Sequence, residues 1–423
     1  MTIRPAIDPT MKAIIDSTPL HFSIEHGVEY ARKQLAALTP APEALPSMRT
    51  EDHRIGHGDI ADIPVRIYWP PAKGEHDLPM VVFYHGGGWA IGDLDIYDAA
   101  ARAHAIGAEA IVVSVAYRLA PEHPFPAAID DSWAALHWVG EHAREFGGDP
   151  ARIAVAGDSA GGNIAAVMAQ MARDNGGPRL VYQLLWYPVT TFDPTLPSMI
   201  ENANAPSLDS GMLAAYRHWY LPPTFATSDP QSLPSTLAPA NVEDMSGLPD
   251  AYIATAEHDP IRDHGVQYAE RLLAAGVSVE LHNAPNLTHG YMTFAGAVPA
   301  AAHATNLGLT ALKDRAPPVM TRQRLAAMLW KRRRGHYVMD IKLRTSAFGV
   351  LRSPRAADRR IPHFVCAWTS PPRESLSRHD HSSGRLSCFD EMGWDDEVFT
   401  AQPLEQARNL RWLAGHRHAA AVD

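Results

Sequence analysis

Between residues 63 and 285 the chain repeats one device: a short β-branched run halts at Gly, Pro or Asp and gives way to helical periodicity. "IPVRIYWP", "LPMVVFYHGGG", "AEAIVVSVAYR", "ARIAVAGDSAGG", "LVYQLLWYP", "DAYIATAEHDP" and "VSVELHNAP" are the strand-like runs, and most are apolar at successive positions. Strands of that kind need cover on both faces. "PAAIDDSWAALHWVGEHAREFGG", "GNIAAVMAQMARDNGG" and "HGVQYAERLLAAG" supply it, with apolar residues at helical spacing and a glycine stop. Strand and helix in alternation specify an α/β fold with a mainly parallel, doubly wound sheet. Ligands of such sheets bind beyond the carboxyl ends of the strands. Gly86 to Gly88, Ser159 and Asp259 each fall just past a strand.

The 423 residues suffice for two or three average domains, or for one large α/β domain with an extension, and 46% apolar content is ample for a core. No apolar run approaches the roughly 18 residues of a membrane span. The start, "MTIRPAIDPTMKAIIDSTPL", has no apolar segment with a cleavage site. A cytoplasmic protein without stable membrane insertion is expected. Residues 1–312 hold 17 Lys and Arg against 35 Asp and Glu, a formal −18, whereas residues 313–423 hold 20 against 12, a formal +8. An acidic front of this size opposes nucleic acid as a partner.

Two stretches interrupt the alternation. Residues 10–38 show helix-like spacing (Ile14, Ile15, Val28, Ala31, Leu35) and end in "LTPAPEALP". Residues 190–240 are proline-rich around one aromatic helix candidate, Met212 to Tyr220. An insertion of that length in a compact domain is read as a lid or binding segment.

The sharpest local feature is "VAGDSAGGNIAA", which sets Ser159 between glycines at a strand-to-helix junction. Ser159 could simply cap the helix. A nucleophile is the alternative, and it needs a base and an acid, which follow in the order Ser, acid, His in open-sheet hydrolases. The acid candidates are Glu257, Asp259 and Asp263; Asp259 sits in the turn "AEHDP", and Asp263 reads better as a first-turn helix residue. His282 lies within a strand pattern and His303 in an alanine-rich helix, which leaves His289, in a loop before Gly290, as the favoured base. "HGGGW" can aim backbone N–H groups of Gly86, Gly87 and Gly88 at an oxyanion, with the Ala160 amide as the other donor. His85 and Asp158 are read as braces. A phosphate cradle is disfavoured: there is no Gly-Lys-Ser/Thr and no Gly-x-Gly-x-x-Gly followed by an acidic ribose reader. No cofactor or metal is implied.

"HGGGWAIGDLDIYD", "AYRLAPEHPFPAAIDD", "GDSAGGN", "DPIRDHG" and "THGYMTF" together resemble the hormone-sensitive-lipase-like, GDSAG-type bacterial carboxylesterases of the α/β-hydrolase superfamily. The likeness spans roughly residues 10–315 and departs from the usual His-Gly-Phe at Tyr291. It implies an α/β-hydrolase fold with a helical cap and a serine carboxylesterase acting on short- to medium-chain acyl esters. By this resemblance the catalytic residues are Ser159, Asp259 and His289. The domains implied are cap helices in 1–45, a catalytic domain in 46–316 and a remainder, 317–423, that the likeness does not cover. The expected partner is a small-molecule ester, with a homodimer kept open. Lactone, amide or specialised acetyl-ester cleavage on the same triad is the neighbouring reading, and a silent binding protein the distant one.

Residues 317–423 differ in kind. They hold the basic cluster Lys331 to Arg334, both cysteines and short apolar runs only, so a disordered tail is expected. A basic membrane- or RNA-binding tail competes with that reading, without an aromatic platform to support it. His363, Cys366, His379, His381 and Cys388 fit no closed tetrahedral spacing for zinc.

Overall fold

A computed structural model describes residues 4–18, 20–37, 45–71 and 77–315, together with the backbone of five strand segments between residues 330 and 394. The chain divides into two compact units, Met1–Val319 and Met320–Asp423.

The first unit is built on eight strands: β1 (Thr50–His57), β2 (Ile60–Tyr68), β3 (Leu78–Tyr84), β4 (Ile111–Val115), β5 (Gly148–Asp158), β6 (Leu180–Trp186), β7 (Ala251–His258) and β8 (Val279–Thr288). Their spatial order is β1-β2-β4-β3-β5-β6-β7-β8. β2 runs antiparallel to both β1 and β4, and every other pairing is parallel. The central strands are buried on both faces, β4 at all of its positions, as their unbroken apolar runs require.

The helices are α1 (Pro9–Ser17), α2 (Val28–Ala36), α3 (Asp98–Ala108), α4 (Ala127–His142), α5 (Ala160–Asp174), α6 (Pro197–Glu201), α7 (Ser210–Tyr220), α8 (Arg262–Ala274) and α9 (Pro299–Arg315). α4, α5 and α8 cover one face of the sheet; α3 and α9 cover the other. The doubly wound reading is therefore correct. Two elements escaped it, the polar edge strand β1 and the alanine-rich α3. The helical stretch expected over 10–38 is two helices. α1 starts at Asp8, whose carboxylate accepts from the Thr10 and Met11 amides at 2.9 and 3.1 Å, with Pro9 at its first position.

α2, α6 and α7 lie in the two stretches that interrupt the alternation, referred to below as the cap. Phe22, in the loop between α1 and α2, stacks on Trp219 at 5.9 Å and meets the Tyr216 ring edge-on at 5.3 Å, so the N-terminal segment and α7 share one apolar contact. Arg32 of α2 anchors that layer to the body: it donates to the carbonyls of Ala90 and Ala120 and forks onto the Glu122 carboxylate at 2.8 and 2.7 Å. Among the described residues no helix is long and apolar enough to cross a membrane.

In the second unit, β9 (Trp330–Arg333), β10 (His336–Lys342), β11 (His363–Thr369), β12 (Arg385–Asp390) and β13 (Gly393–Trp394) pair antiparallel in the order β13-β12-β11-β10-β9. The disordered tail expected for 317–423 otherwise falls on residues outside the described ones. Of the zinc candidates, His363, Cys366 and Cys388 stand on β11 and β12, and His379 and His381 lie outside the described residues.

α9 seals its face by direct contact between Gly308 and the Trp186 ring, where a Cβ would overlap the indole. That ring cannot retreat easily, because its Nε1–H donates to His104 Nε2 at 3.0 Å and the side chain is fully buried. Gly308→Ala should therefore destabilise the fold by about 1–3 kcal/mol, the usual cost of overpacking, despite the better helix propensity of alanine. Urea denaturation checks this; a midpoint equal to or above that of the parent would contradict the packing argument.

Candidate active site

Ser159 occupies the turn from β5 into α5 with φ +54° and ψ −115°, a left-handed conformation that costs a non-glycine residue about 1–3 kcal/mol. The surroundings hold it there. Its amide donates to the Trp186 carbonyl at 2.8 Å, and its own carbonyl accepts from Asn163 and Val189 at 3.0 and 3.2 Å. The flanking glycines are a packing requirement. A Cβ on Gly161 would overlap the Tyr84 carbonyl at the end of β3, and one on Gly157 would overlap the Gly161 carbonyl. The Ser159 hydroxyl makes no capping hydrogen bond to α5, so the capping alternative is excluded.

That hydroxyl meets His289 instead. Ser159 Oγ lies 3.0 Å from His289 Nε2, and His289 Nδ1 lies 2.8 Å from Asp259 Oδ2. Asp259 is fully buried just past β7, and its other oxygen accepts from the Ile261 amide at 2.9 Å. Its carboxylate is thereby fixed by two donors. His289 follows β8 directly, and Gly290, at φ +76°, turns the chain away. The edge of the Tyr187 ring packs against the imidazole at 4.8 Å.

The rival acids are occupied elsewhere. Glu257 binds Arg262 at 3.1 Å and Asn283 at 2.8 Å. Asp263 accepts from Arg262 at 2.8 Å and from the Ser198 amide at 2.8 Å, tying α8 to α6. His282 and His303 make no hydrogen bond to Ser159 or Asp259 among the described residues.

The glycine loop after β3 is braced from beneath. His85, buried and pushed down to about 4 by desolvation, is a neutral imidazole whose Nδ1–H donates to the Gly86 carbonyl at 2.7 Å. Its ring stacks on Tyr117 at 4.4 Å, and the Tyr117 hydroxyl donates to the His85 carbonyl at 2.7 Å. Asp158 Oδ1 accepts the Gly86 amide at 2.8 Å, and Oδ2 takes the Tyr97 hydroxyl at 3.4 Å. Burial pushes Asp158 up to about 7, against the opposing pull of His289 and of these donors.

This corrects one expectation. The Gly86 N–H is committed to Asp158 and cannot serve an oxyanion. Gly87 and Gly88, at φ +100° and +57°, have amides without a protein acceptor among the described residues. The Ala160 amide, at the first position of α5, has no preceding turn to accept it. The arrangement thus offers three free N–H donors beside one hydroxyl, a base and a buried carboxylate: the parts that acyl transfer needs. Directly over Gly88 lies the Tyr216 ring of α7, which a Cβ there would strike. Trp89 stacks flat on Tyr220 at 4.2 Å, joining the loop to the cap.

Sequence reasoning missed Tyr97, Tyr117, Tyr187 and Asn202 (whose amide donates to the Asp259 carbonyl at 3.1 Å). Tyr97 and Tyr117 left a trace by standing in "HGGGWAIGDLDIYD" and "AYRLAPEHPFPAAIDD", and Tyr187 lies in the strand-like run "LVYQLLWYP".

A family profile described as alpha/beta hydrolase fold matches residues 81–293. Carboxylesterase NlhH of Mycobacterium tuberculosis is 62% identical over 310 residues, covering 73% of this chain and 96% of that protein. Esterase LipI of the same organism is 53% identical over 311 residues, covering 73% and 95%. The solved structure of a hyperthermophilic esterase from Pyrobaculum calidifontis superposes with a TM-score of 0.65 at 36% identity, over 74% of this chain and 99% of that one. On its fold and on these likenesses, the chain belongs to the hormone-sensitive-lipase-like branch of the α/β-hydrolase family.

Proposed function

We propose that the protein is a serine carboxylesterase that hydrolyses short- to medium-chain acyl esters through an acyl-enzyme. The observation that carries this reading is the hydrogen-bonded series Ser159–His289–Asp259 facing the unpaired amides of Gly87, Gly88 and Ala160. The printed names of the relatives, carboxylesterase and esterase, agree with it. A cytoplasmic setting is part of the proposal, and cell fractionation checks it.

In this mechanism Ser159 Oγ attacks the ester carbonyl as His289 Nε2 takes its proton. Asp259 holds the imidazole in the tautomer with hydrogen on Nδ1 and stabilises the imidazolium that forms. The carbonyl oxygen, now negative, sits among the three amides, which are fixed before the reaction and reorganise little during it. His289 then protonates the leaving alkoxide, the alcohol departs, and water activated by the same base cleaves the acyl-serine. The rings of Phe192, Tyr216, Trp219 and Tyr220, which belong to or pack against one apolar cluster, are proposed to face the acyl or alcohol group.

Three results are expected. Ser159→Ala and His289→Ala should each lower kcat for p-nitrophenyl butyrate on the order of 10⁴-fold or more, because triad members act as a unit. Asp259→Asn should lose as much or less, and Asp263→Asn should lose stability while retaining most activity. A folded but inactive Asp263→Asn would refute the acid assignment.

Across p-nitrophenyl esters, kcat/KM should peak within roughly C2 to C8, as a bounded pocket requires. Faster hydrolysis of emulsified long-chain triglyceride than of soluble butyrate esters would contradict this.

Asp158 has a pH signature of its own. Its folded pKa, about 7, lies above the ordinary value of 3.8. The unfolded chain therefore releases this proton first, and the stability the group contributes at low pH is lost as pH rises from about 4 to about 7. Asp158→Asn removes the titration, so its stability relative to the parent should climb over that window and level off above it. Urea midpoints measured from pH 4.5 to 8 check this, and a flat or falling difference would show that Asp158 is not held protonated.

A further inference from the structure

Away from the site, α4 and the end of β1 bring two imidazoles and a carboxylate together. His57 closes β1, just past an irregularity in its pairing with β2. His137 and Glu141 stand one turn apart on the same face of α4. The two imidazole rings stack at 4.5 Å with 22° between their planes. His57 Nδ1 lies 3.5 Å from a Glu141 carboxylate oxygen, and one ligand atom from each residue falls within 4.8 Å of the other two. Apart from that one approach, no side-chain hydrogen bond or ion pair engages these three residues among the described ones. Their donor atoms are free.

We propose that His57, His137 and Glu141 bind a divalent transition-metal ion, Zn²⁺ foremost, at a site separate from the catalytic one. Two imidazole nitrogens and one carboxylate oxygen suit Zn²⁺, Ni²⁺ or Cu²⁺ and do not suit Mg²⁺ or Ca²⁺, which take oxygen ligands. Tetrahedral coordination with bonds near 2.0–2.1 Å places ligand atoms about 3.4 Å apart. Reaching that spacing, and bringing both ring planes to converge on one ion, requires the His57 ring to turn out of its stack on His137 and the Glu141 carboxylate to follow, for which their exposure leaves room: the two side chains are 35% and 55% exposed. The same exposure gives the ion an entry path and a water as fourth ligand. β2, β4 and β3 separate β1 from β5, which leads to Ser159, so about 19 Å of sheet lies between the two sites. The ion would bolt β1, an edge strand with a single neighbour, to the helix beneath it. Any ion held only by the folded protein stabilises it in proportion to its occupancy.

The test uses the full chain, stripped with EDTA and titrated with ZnCl₂ by calorimetry and by thermal melts. Histidines elsewhere, including those between residues 378 and 381, can bind zinc too, so the readout is the difference between parent and variants. His57→Ala and Glu141→Gln change exposed positions and should fold. His137→Ala also removes a ring packed edge-on against Trp133 at 4.4 Å and serves as a supporting variant only. The parent should bind one equivalent that each variant loses or binds on the order of 100-fold more weakly, given that even outer-shell changes cost 10–100-fold. Zn²⁺ should raise the Tm of the parent more than that of either variant, with ester turnover unchanged by EDTA. Cu²⁺ should quench Trp133, so Trp133→Phe should lose part of the quenching seen in the parent. Equal zinc stoichiometry, affinity and Tm shift in the parent and in both exposed variants would overturn the proposal, as would Cu²⁺ quenching that Trp133→Phe leaves intact.

Discussion

The site depends on how closely α5 begins against the end of β3. Gly161 touches the Tyr84 and His85 carbonyls, and Gly157 touches the Gly161 carbonyl, with no room for a Cβ at either position. This contact forces the intervening turn to be tight, and the tight turn puts Ser159 at φ +54°. Three backbone hydrogen bonds over-determine the strained residue, which is the condition under which such strain persists. The hydroxyl consequently stands clear of its own helix, and the Ala160 amide faces the same space. The remaining parts assemble around that fixed point, since β7 and β8 end level with each other, at His258 and Thr288, and deliver Asp259 and His289 from the loops that follow.

The cap is joined to this framework at the glycine loop. Tyr216 rests on Gly88, Trp89 lies flat on Tyr220, and Arg32 holds the Ala90 carbonyl two residues beyond Gly88. The loop that supplies the proposed oxyanion donors is thus packed directly against the cap. Bulk added at Tyr216 therefore acts on the posture of the donors.

Much of this was legible in the sequence, for identifiable reasons. Strands buried on both faces announce themselves by unbroken apolar runs, and the order Ser159, Asp259, His289 at successive strand ends left few alternatives. β1 was illegible because "TEDHRIGH" buries only Ile55 fully and owes its conformation to pairing with β2 alone. α3 was illegible because Ala101, Ala105 and Ala108 bury small surfaces that give a weak periodic signal. The commitment of the Gly86 amide to Asp158 joins residues 72 positions apart and leaves no local mark. The same holds for Asn202 on the Asp259 carbonyl and for Tyr187 against His289, whose partners only the tertiary fold selects. Of the two braces read from the sequence, His85 and Asp158, the fold supplies the bonds that make them so.

Asp158 is covalently next to the proposed nucleophile and is hydrogen-bonded to the first residue of the donor loop. Ser159 and the amides of Gly87 and Gly88 are therefore linked by a path of a few stiff bonds, although the sequence separates them by some seventy positions. Thermal displacement of either element carries the other with it. Attack distance and oxyanion geometry are then set together. Since an error of about 1 Å in such alignment can cost 10²-fold in rate, this short linkage guards the geometry on which the reaction is most exacting.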